Sequence, residues 1–139
     1  MSVQSRIVLI AFVLWTAFVW GNRISNTLRS EESAGAKLFS TVLSLVLLAF
    51  AVAVVAVAAK AWNSPVSLTG AKVLMAAAGL TALVWLVRVP MILMADHGAP
   101  FKIVHVALGV VSVVLAALVW QIGVAVVRGS RTGAAMGVG

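Results

Sequence analysis

The chain has 139 residues, of which 63% are apolar and 9% charged, and its mean hydropathy is +1.18. Soluble globular domains are roughly half apolar and about a quarter charged, so this composition excludes a water-soluble globule. Ten Lys or Arg against three Asp or Glu give a net charge of +7. These charges stand in short gaps between apolar runs, which argues against a nucleic-acid-binding face. The absence of cysteine excludes disulfides and thiolate metal sites.

Four apolar runs predict four membrane-spanning helices. A helical span needs roughly 20 largely apolar residues. The runs begin after Arg6 and continue as an amphipathic segment to Leu28, then cover residues 38–59, 73–94 and 103–127. Unpaired backbone groups are too unfavourable in lipid for other structures, so we expect the spans to be α-helices. The remaining residues, 128–139, are predicted to form a mobile basic tail.

The first span is expected to stay uncleaved, because no small-residue cleavage site closely follows Trp20. Four spans place both termini on one side of a cell (plasma) membrane. The two sides then carry five Lys or Arg residues each, so the positive-inside rule does not separate the orientations. We take cytoplasmic termini as the working expectation.

The sequence also contains an internal repeat. A shift of 65 residues aligns 16–51 with 81–116 without a gap, and eleven of these 36 positions are identical. The rare residues match as well, namely Trp20 with Trp85, Arg23 with Arg88, and Lys37 with Lys102. Equivalent positions lie two helices apart, so the copies run in the same direction. The predicted fold is an all-α, integral membrane four-helix bundle of two tandem helical hairpins in parallel repeat, at about 7–59 and 73–127.

Each half has a Trp-rich first helix, a short polar turn and a second apolar helix. In these features, residues 13–59 and 78–127 resemble the small, uncharacterised two-span hairpin membrane proteins common in actinobacteria. The resemblance implies a duplicated hairpin architecture and no chemistry.

Trp20, Arg23, Trp85 and Arg88 are the candidate residues for contact with a lipid or a partner. In each half the Trp and Arg are three positions apart on one helical face, close enough for a cation–π contact. Arg88 lies within the third span, where a charge is unfavourable, and Pro90 follows it. Two interpretations remain open: a pair of interfacial anchors, or a basic site for an anionic head group or a partner's carboxylate.

His105, which lies early in the fourth span, is a candidate haem ligand. A six-coordinate haem needs two axial ligands that face each other, commonly from different helices. His97 falls in a turn, and Ser40 stands where the repeat would supply a second histidine. We therefore predict no cofactor and no metal site.

Small residues on the third and fourth spans predict close helix packing, with Gly79, Ala82, Gly109 and Ser112 as the candidates. No catalytic or phosphate-binding motif occurs, so we expect no enzymatic activity. The spans lack acidic residues, which argues against proton-coupled transport. We therefore expect an accessory or stabilising subunit of a larger membrane complex, such as a respiratory one, that contacts lipid, other subunits or itself. The alternatives are a small lipid or small-molecule translocator and, third, a haem- or quinone-binding protein.

Overall fold

A computed structural model describes residues 1–137 and is all-helical in its regular structure. Its four α-helices are α1 (Val3–Arg29), α2 (Ala34–Lys60), α3 (Leu68–Met94) and α4 (Ala99–Met136). Serine side chains accept a hydrogen bond from the first turn of three helices, at Ser2, Ser33 and Ser67. Because the first backbone N–H groups of a helix have no partner within it, these serines fix where the helices begin.

The helices form an antiparallel bundle in which each contacts two neighbours. Helix α1 packs against α2 and α4, and α3 packs against α2 and α4. The most extensive contacts are within the two hairpins, α1–α2 and α3–α4. Short connections between successive helices favour this up-and-down arrangement.

The interior consists of two apolar clusters, stacked along the bundle. One cluster, around Leu9, Phe12, Val54, Leu74 and Val119, fills the half nearest the N-terminus of α1. The other contains Val19, Trp20, Leu47 and Trp85, and lies toward the opposite end. Side chains therefore close the bundle axis along most of its length.

Buried positions recur at the spacing of 65 residues. The pairs with both members buried include Leu9 with Leu74, Thr16 with Thr81, Trp20 with Trp85, Ser44 with Gly109, Ala51 with Ala116, and Val54 with Val119. A tandem repeat of two hairpins predicts this pattern, because equivalent residues then face the same interior. Superposition of the two hairpins stays a prediction.

All four helices begin four or five residues before the predicted spans, at Val3, Ala34, Leu68 and Ala99. Helices α1, α2 and α3 end within one residue of the predicted ends, at Arg29, Lys60 and Met94, and α3 passes through Pro90 without a break. Helix α4 continues through Arg128 and Arg131 to Met136, in the segment predicted to be a mobile tail. The mobility of that segment stays a prediction, and residues 138 and 139 lie outside the described residues.

All four helices are long and apolar enough to cross a membrane. At 1.5 Å per residue, the three helices of 27 residues are about 40 Å long and α4, with 38, is about 57 Å. Large apolar side chains point outward on every helix, for example Leu14, Leu45, Leu86 and Val110.

Candidate functional site: a two-arginine cavity between the hairpins

Four residues singled out from the sequence, Trp20, Arg23, Trp85 and Arg88, line one cavity. Its volume is about 300 Å³, and it lies near the end of the bundle where α1 and α3 finish. Its remaining wall is mixed, with the polar side chains of Asn22, Asn26 and His105 beside Phe18, Val19, Val104 and Leu108. The cavity therefore draws its walls from both hairpins and combines two guanidinium groups with apolar and amide surfaces.

A hydrogen-bond network holds Arg23 in place. Its Nε donates to the Ser40 hydroxyl at 2.9 Å, which joins α1 to α2. The Ser40 and Thr27 hydroxyls are 3.1 Å apart and share a hydrogen bond within the buried interface. Among residues 1–137 only Nε of Arg23 is used in this network, so its two terminal nitrogens have no protein acceptor while the residue lines the cavity.

Arg88 makes its aromatic contact across the hairpins. Its guanidinium carbon lies 5.9 Å from the ring centroid of Trp20 on α1, and not over Trp85, its neighbour on α3. The contact expected from sequence was within each helix. The structure differs because the diagonally opposed α1 and α3 bring their Trp rings together at the bundle centre, which carries Trp20 toward Arg88.

Within residues 1–137, the Arg88 guanidinium has no hydrogen bond to a protein group, and neither Arg23 nor Arg88 lies within 4.0 Å of a carboxylate oxygen. The same two arginines also line a second cavity, of about 260 Å³, with Met91, Ile92, Ala95 and His97. Two cations thus face shared open space from opposite hairpins.

Trp20 and Trp85 both line the site and lie against each other. Their ring centroids are 6.1 Å apart with an interplanar angle of 53°, and both side chains are buried. The indole nitrogen of Trp85 is inaccessible to solvent and has no hydrogen-bond partner among residues 1–137. A buried donor without a partner is unfavourable by about 1–3 kcal/mol, so this position is a polar defect in the cavity wall.

The weak haem candidate, His105, lines the same cavity but is engaged with its own helix. Its Nδ1 lies 2.8 Å from the Phe101 carbonyl oxygen. Its ring stacks on the Phe101 ring, with 3.9 Å between the ring centroids. His97 packs on that same phenyl ring at 4.4 Å, so both histidines belong to one stack at the start of α4. In residues 1–137 no group of three or more His, Cys, Asp or Glu side chains is placed to hold a metal ion.

The predicted packing residues lie along the α3–α4 contact. Gly109 and Ser112 are buried, whereas Gly79 and Ala82 are partly buried. A Cβ atom at Gly109 would lie 2.6 Å from Val89 Cγ2 and 2.9 Å from Trp85 Cε3, so the helices approach too closely there for any larger residue. At Gly79 the nearest atom would be in the Trp120 ring, 3.5 Å away, which is ordinary contact.

Sequence reasoning missed two packing contacts. A Cβ atom at Gly123 would meet Met75 Cγ at 2.5 Å and the Ala71 carbonyl oxygen at 3.0 Å. The Trp15 indole donates to the Ser112 hydroxyl at 2.8 Å and so joins α1 to α4. The small residues at positions 112 and 123 are the signals in the sequence, but neither indicates its partner.

The opposite end of the bundle uses another Arg–Trp pair. Arg6 lies over the Trp62 ring at 4.7 Å and donates to the Trp62 carbonyl oxygen. The N-terminal amino group donates to the Ser64 carbonyl at 3.2 Å. These contacts attach the start of α1 to the α2–α3 connection through one terminal nitrogen of Arg6, whereas Arg6 Nε is buried without a hydrogen-bond partner among residues 1–137.

Chemically, the cavity offers positive charge, planar hydrogen-bond donors and an apolar wall, which suits binding of an anion with an attached apolar group. Comparisons of the chain with protein-family models, curated proteins and solved structures found no significant match.

Proposed function

We propose that this chain is a multi-pass integral membrane protein. Support comes from its outward-facing side chains, because each helix exposes large apolar residues such as Leu14, Leu45, Leu86 and Val110. A soluble bundle presents polar residues on that surface, and contiguous apolar patches of this extent are rare on soluble monomers. Lipid is the solvent that fits this surface.

The two hairpins are proposed to be tandem copies related by an axis along the membrane normal. The recurrence of buried residues at a spacing of 65 supports this, as does the contact between the equivalent residues Trp20 and Trp85 near the bundle centre. A parallel repeat places equivalent side chains around a common axis, where they meet each other.

Its function is proposed to be association: a non-catalytic accessory or stabilising subunit of a larger membrane complex. The observation that carries this proposal is the closed interior, where Leu9, Phe12, Val54, Leu74 and Val119 are all almost fully buried against one another. A solute would have to displace this cluster to cross the bundle, and a polar pathway is what transporters of this size rely on. A host such as a respiratory complex fits a small subunit of this kind.

A lipid or small-molecule translocator is the second candidate. The observation that favours it is the cavity between the hairpins, which Arg23 and Arg88 both line. An accessory subunit needs only to bind a ligand or partner at this end of the bundle. A translocator also requires the apolar cluster around Leu9 and Phe12 to open.

Affinity purification of the full chain from its own host in mild detergent, followed by native gel electrophoresis, tests this proposal. We expect the chain to migrate in a complex larger than a monomer and to bring down defined membrane subunits in fixed ratio. Migration as a lone monomer, combined with solute or lipid flux in liposomes reconstituted with the purified chain, would replace the accessory role with the translocator.

A further inference from the structure

Arg23 and Arg88 bring two positive charges to the two-arginine cavity, and Glu32, the acidic residue that attracts Arg88, does so from beyond 4.0 Å. Arg23 and Arg88 line two cavities together, at about 300 and 260 Å³, and neither has a carboxylate within 4.0 Å among residues 1–137. Like charges on partly buried groups repel more strongly than in water, because the local dielectric is lower. An anion bound between them would remove this repulsion.

The two arginines of the site are not equivalent: Arg23 is held by protein hydrogen bonds, whereas Arg88 is not. Arg23 is fixed by Ser40, and Ser40 by Thr27. In the second copy the position equivalent to Ser40 is His105, whose Nδ1 is directed to the Phe101 carbonyl instead. Arg88 therefore keeps all its donors for a ligand and is steadied only by its contact with the Trp20 ring.

The shape of the cavity indicates the class of anion. Guanidinium groups bind phosphate in a planar, two-pronged geometry. Asn22 and Asn26 add amide groups to the wall, with Asn22 Nδ2 already donating to the Phe18 carbonyl at 2.7 Å. Phe18, Val104 and Leu108 add an apolar side. A volume of about 300 Å³ is at the lower limit of small-molecule sites, so it admits a head group and not a whole lipid.

We infer that this cavity binds the phosphodiester head group of an anionic membrane lipid, with Arg88 as the principal contact and Arg23 as the second. The acyl chains then lie along the exposed apolar faces of α1 and α4, beside Phe18 and Val104. This inference rests on the membrane location proposed above but not on the accessory role.

The test uses the full chain, purified in nonionic detergent and freed of lipid. Native mass spectrometry compares retention of phosphatidylglycerol with that of phosphatidylcholine of the same acyl chains. We expect one phosphatidylglycerol bound with about a tenfold preference, because both lipids carry the phosphodiester that the arginines bind but phosphatidylcholine adds a quaternary ammonium that two arginines repel. Equal retention of the two lipids would overturn the inference.

Substitutions of single arginines test whether the preference for phosphatidylglycerol comes from the two-arginine cavity. Arg88→Gln is expected to reduce the preference to about twofold, while Arg88→Lys retains part of it because it keeps the charge but not the planar donors. The matched control is Arg29→Gln, which removes the same charge at the same end of the bundle from an exposed position outside the cavity. Equal losses in Arg88→Gln and Arg29→Gln would overturn the inference in favour of general surface charge.

Two further arms distinguish other ligands. Inorganic phosphate at millimolar concentration should not displace the lipid, and displacement that depends on Arg88 would assign the site to a soluble phosphate compound instead. Copurification of an acidic partner lost in Arg88→Gln, without lipid preference, would assign it to a protein. Membrane fractionation of each variant tests the proposed membrane location separately. If Arg88→Gln does not fold, the lipid preference of Arg88→Lys and the competition with inorganic phosphate test the lipid site instead.

Discussion

Gly109 and Gly79 show, at the scale of one residue, how closely α3 and α4 approach. An added Cβ at Gly109 would lie 2.6 Å from Val89 and 2.9 Å from Trp85, both stiff side chains with little room to yield. We expect Gly109→Ala to lower the free energy of unfolding by about 1–3 kcal/mol, as overpacking does elsewhere.

Gly79→Ala is the matched substitution. Its Cβ would meet the Trp120 ring at 3.5 Å, an ordinary contact, and alanine is favoured over glycine in a helix by about 1 kcal/mol. We therefore expect unchanged or slightly raised stability for this variant. Thermal unfolding in detergent, followed by circular dichroism, measures both, and equal stability of the two variants would contradict the close approach at Gly109.

Ser40 connects Arg23 to α2, and a second buried serine one turn away provides its control. Ser40→Ala removes the acceptor for Arg23 Nε and the partner of Thr27. We expect a loss of about 1–2 kcal/mol in the free energy of unfolding, because a hydrogen bond to a charged group is lost inside the interface.

The control is Ser44→Ala. The Ser44 hydroxyl donates only to the Ser40 carbonyl of its own helix, so we expect Ser44→Ala to change stability by less than about 0.5 kcal/mol. Denaturant unfolding of both variants is the measurement. If Ser44→Ala were as destabilising as Ser40→Ala, the network around Arg23 would not be what stabilises this interface.

At the scale of the helix, the exposed end of α4 differs from the rest. The other helices are about 40 Å long, so the last turns of α4 extend past the bundle. A Cβ at Gly129 or Gly133 would find no atom within 4 Å. We expect deletion of residues 129–139 to change the melting temperature by less than about 2 °C, because few interactions are lost.

Truncation after Gln121 is the comparison for that deletion. It removes Gly123, which lies against the Ala71 backbone, and we expect it to destabilise the bundle strongly. Melting curves of the two truncated chains in one detergent give the result. A fall of more than about 5 °C on removing only 129–139 would show that the end of α4 packs against the protein.

The existence of the four helices could be predicted from the sequence, but their starts could not. An apolar run reports which residues avoid water, and it fixes the number and order of helices and, for α1, α2 and α3, the last residue to within one. The starts depend instead on local hydrogen bonds, such as those accepted by Ser2, Ser33 and Ser67. Helix α3 accordingly begins at Leu68, five residues before the predicted span that starts at residue 73.

The candidate site was predictable in its residues and not in its contacts. Trp20, Arg23, Trp85 and Arg88 stand out because Trp and Arg are rare in this chain and recur at one spacing. Spacing along one helix could not indicate that Arg88 lies over Trp20, or that Trp15 bonds Ser112, 97 positions away. Those pairs depend on how the hairpins pack, which periodicity within a single helix does not encode.

At the scale of the whole molecule, the paired hairpins make the orientation of the chain testable. The chain has no cysteine, so each single-cysteine variant reports one position without interference. Glu31 and Asp96 lie in or beside the α1–α2 and α3–α4 turns and are equivalent in the repeat, whereas Asn63 lies in the α2–α3 turn at the other end. All three are exposed.

With both termini cytoplasmic, Glu31→Cys and Asp96→Cys should react with a membrane-impermeant thiol reagent in intact cells. Asn63→Cys should react only after the membrane is opened, because the bilayer separates it from the reagent. A parallel repeat requires the two equivalent positions to behave alike, since two helices separate them and each crossing reverses the side. If only Asn63→Cys reacted in intact cells, both termini would lie outside the cell, and the parallel repeat would still hold. Opposite behaviour of Glu31→Cys and Asp96→Cys would exclude the parallel repeat, and with it the arrangement that places Arg23 and Arg88 on one cavity.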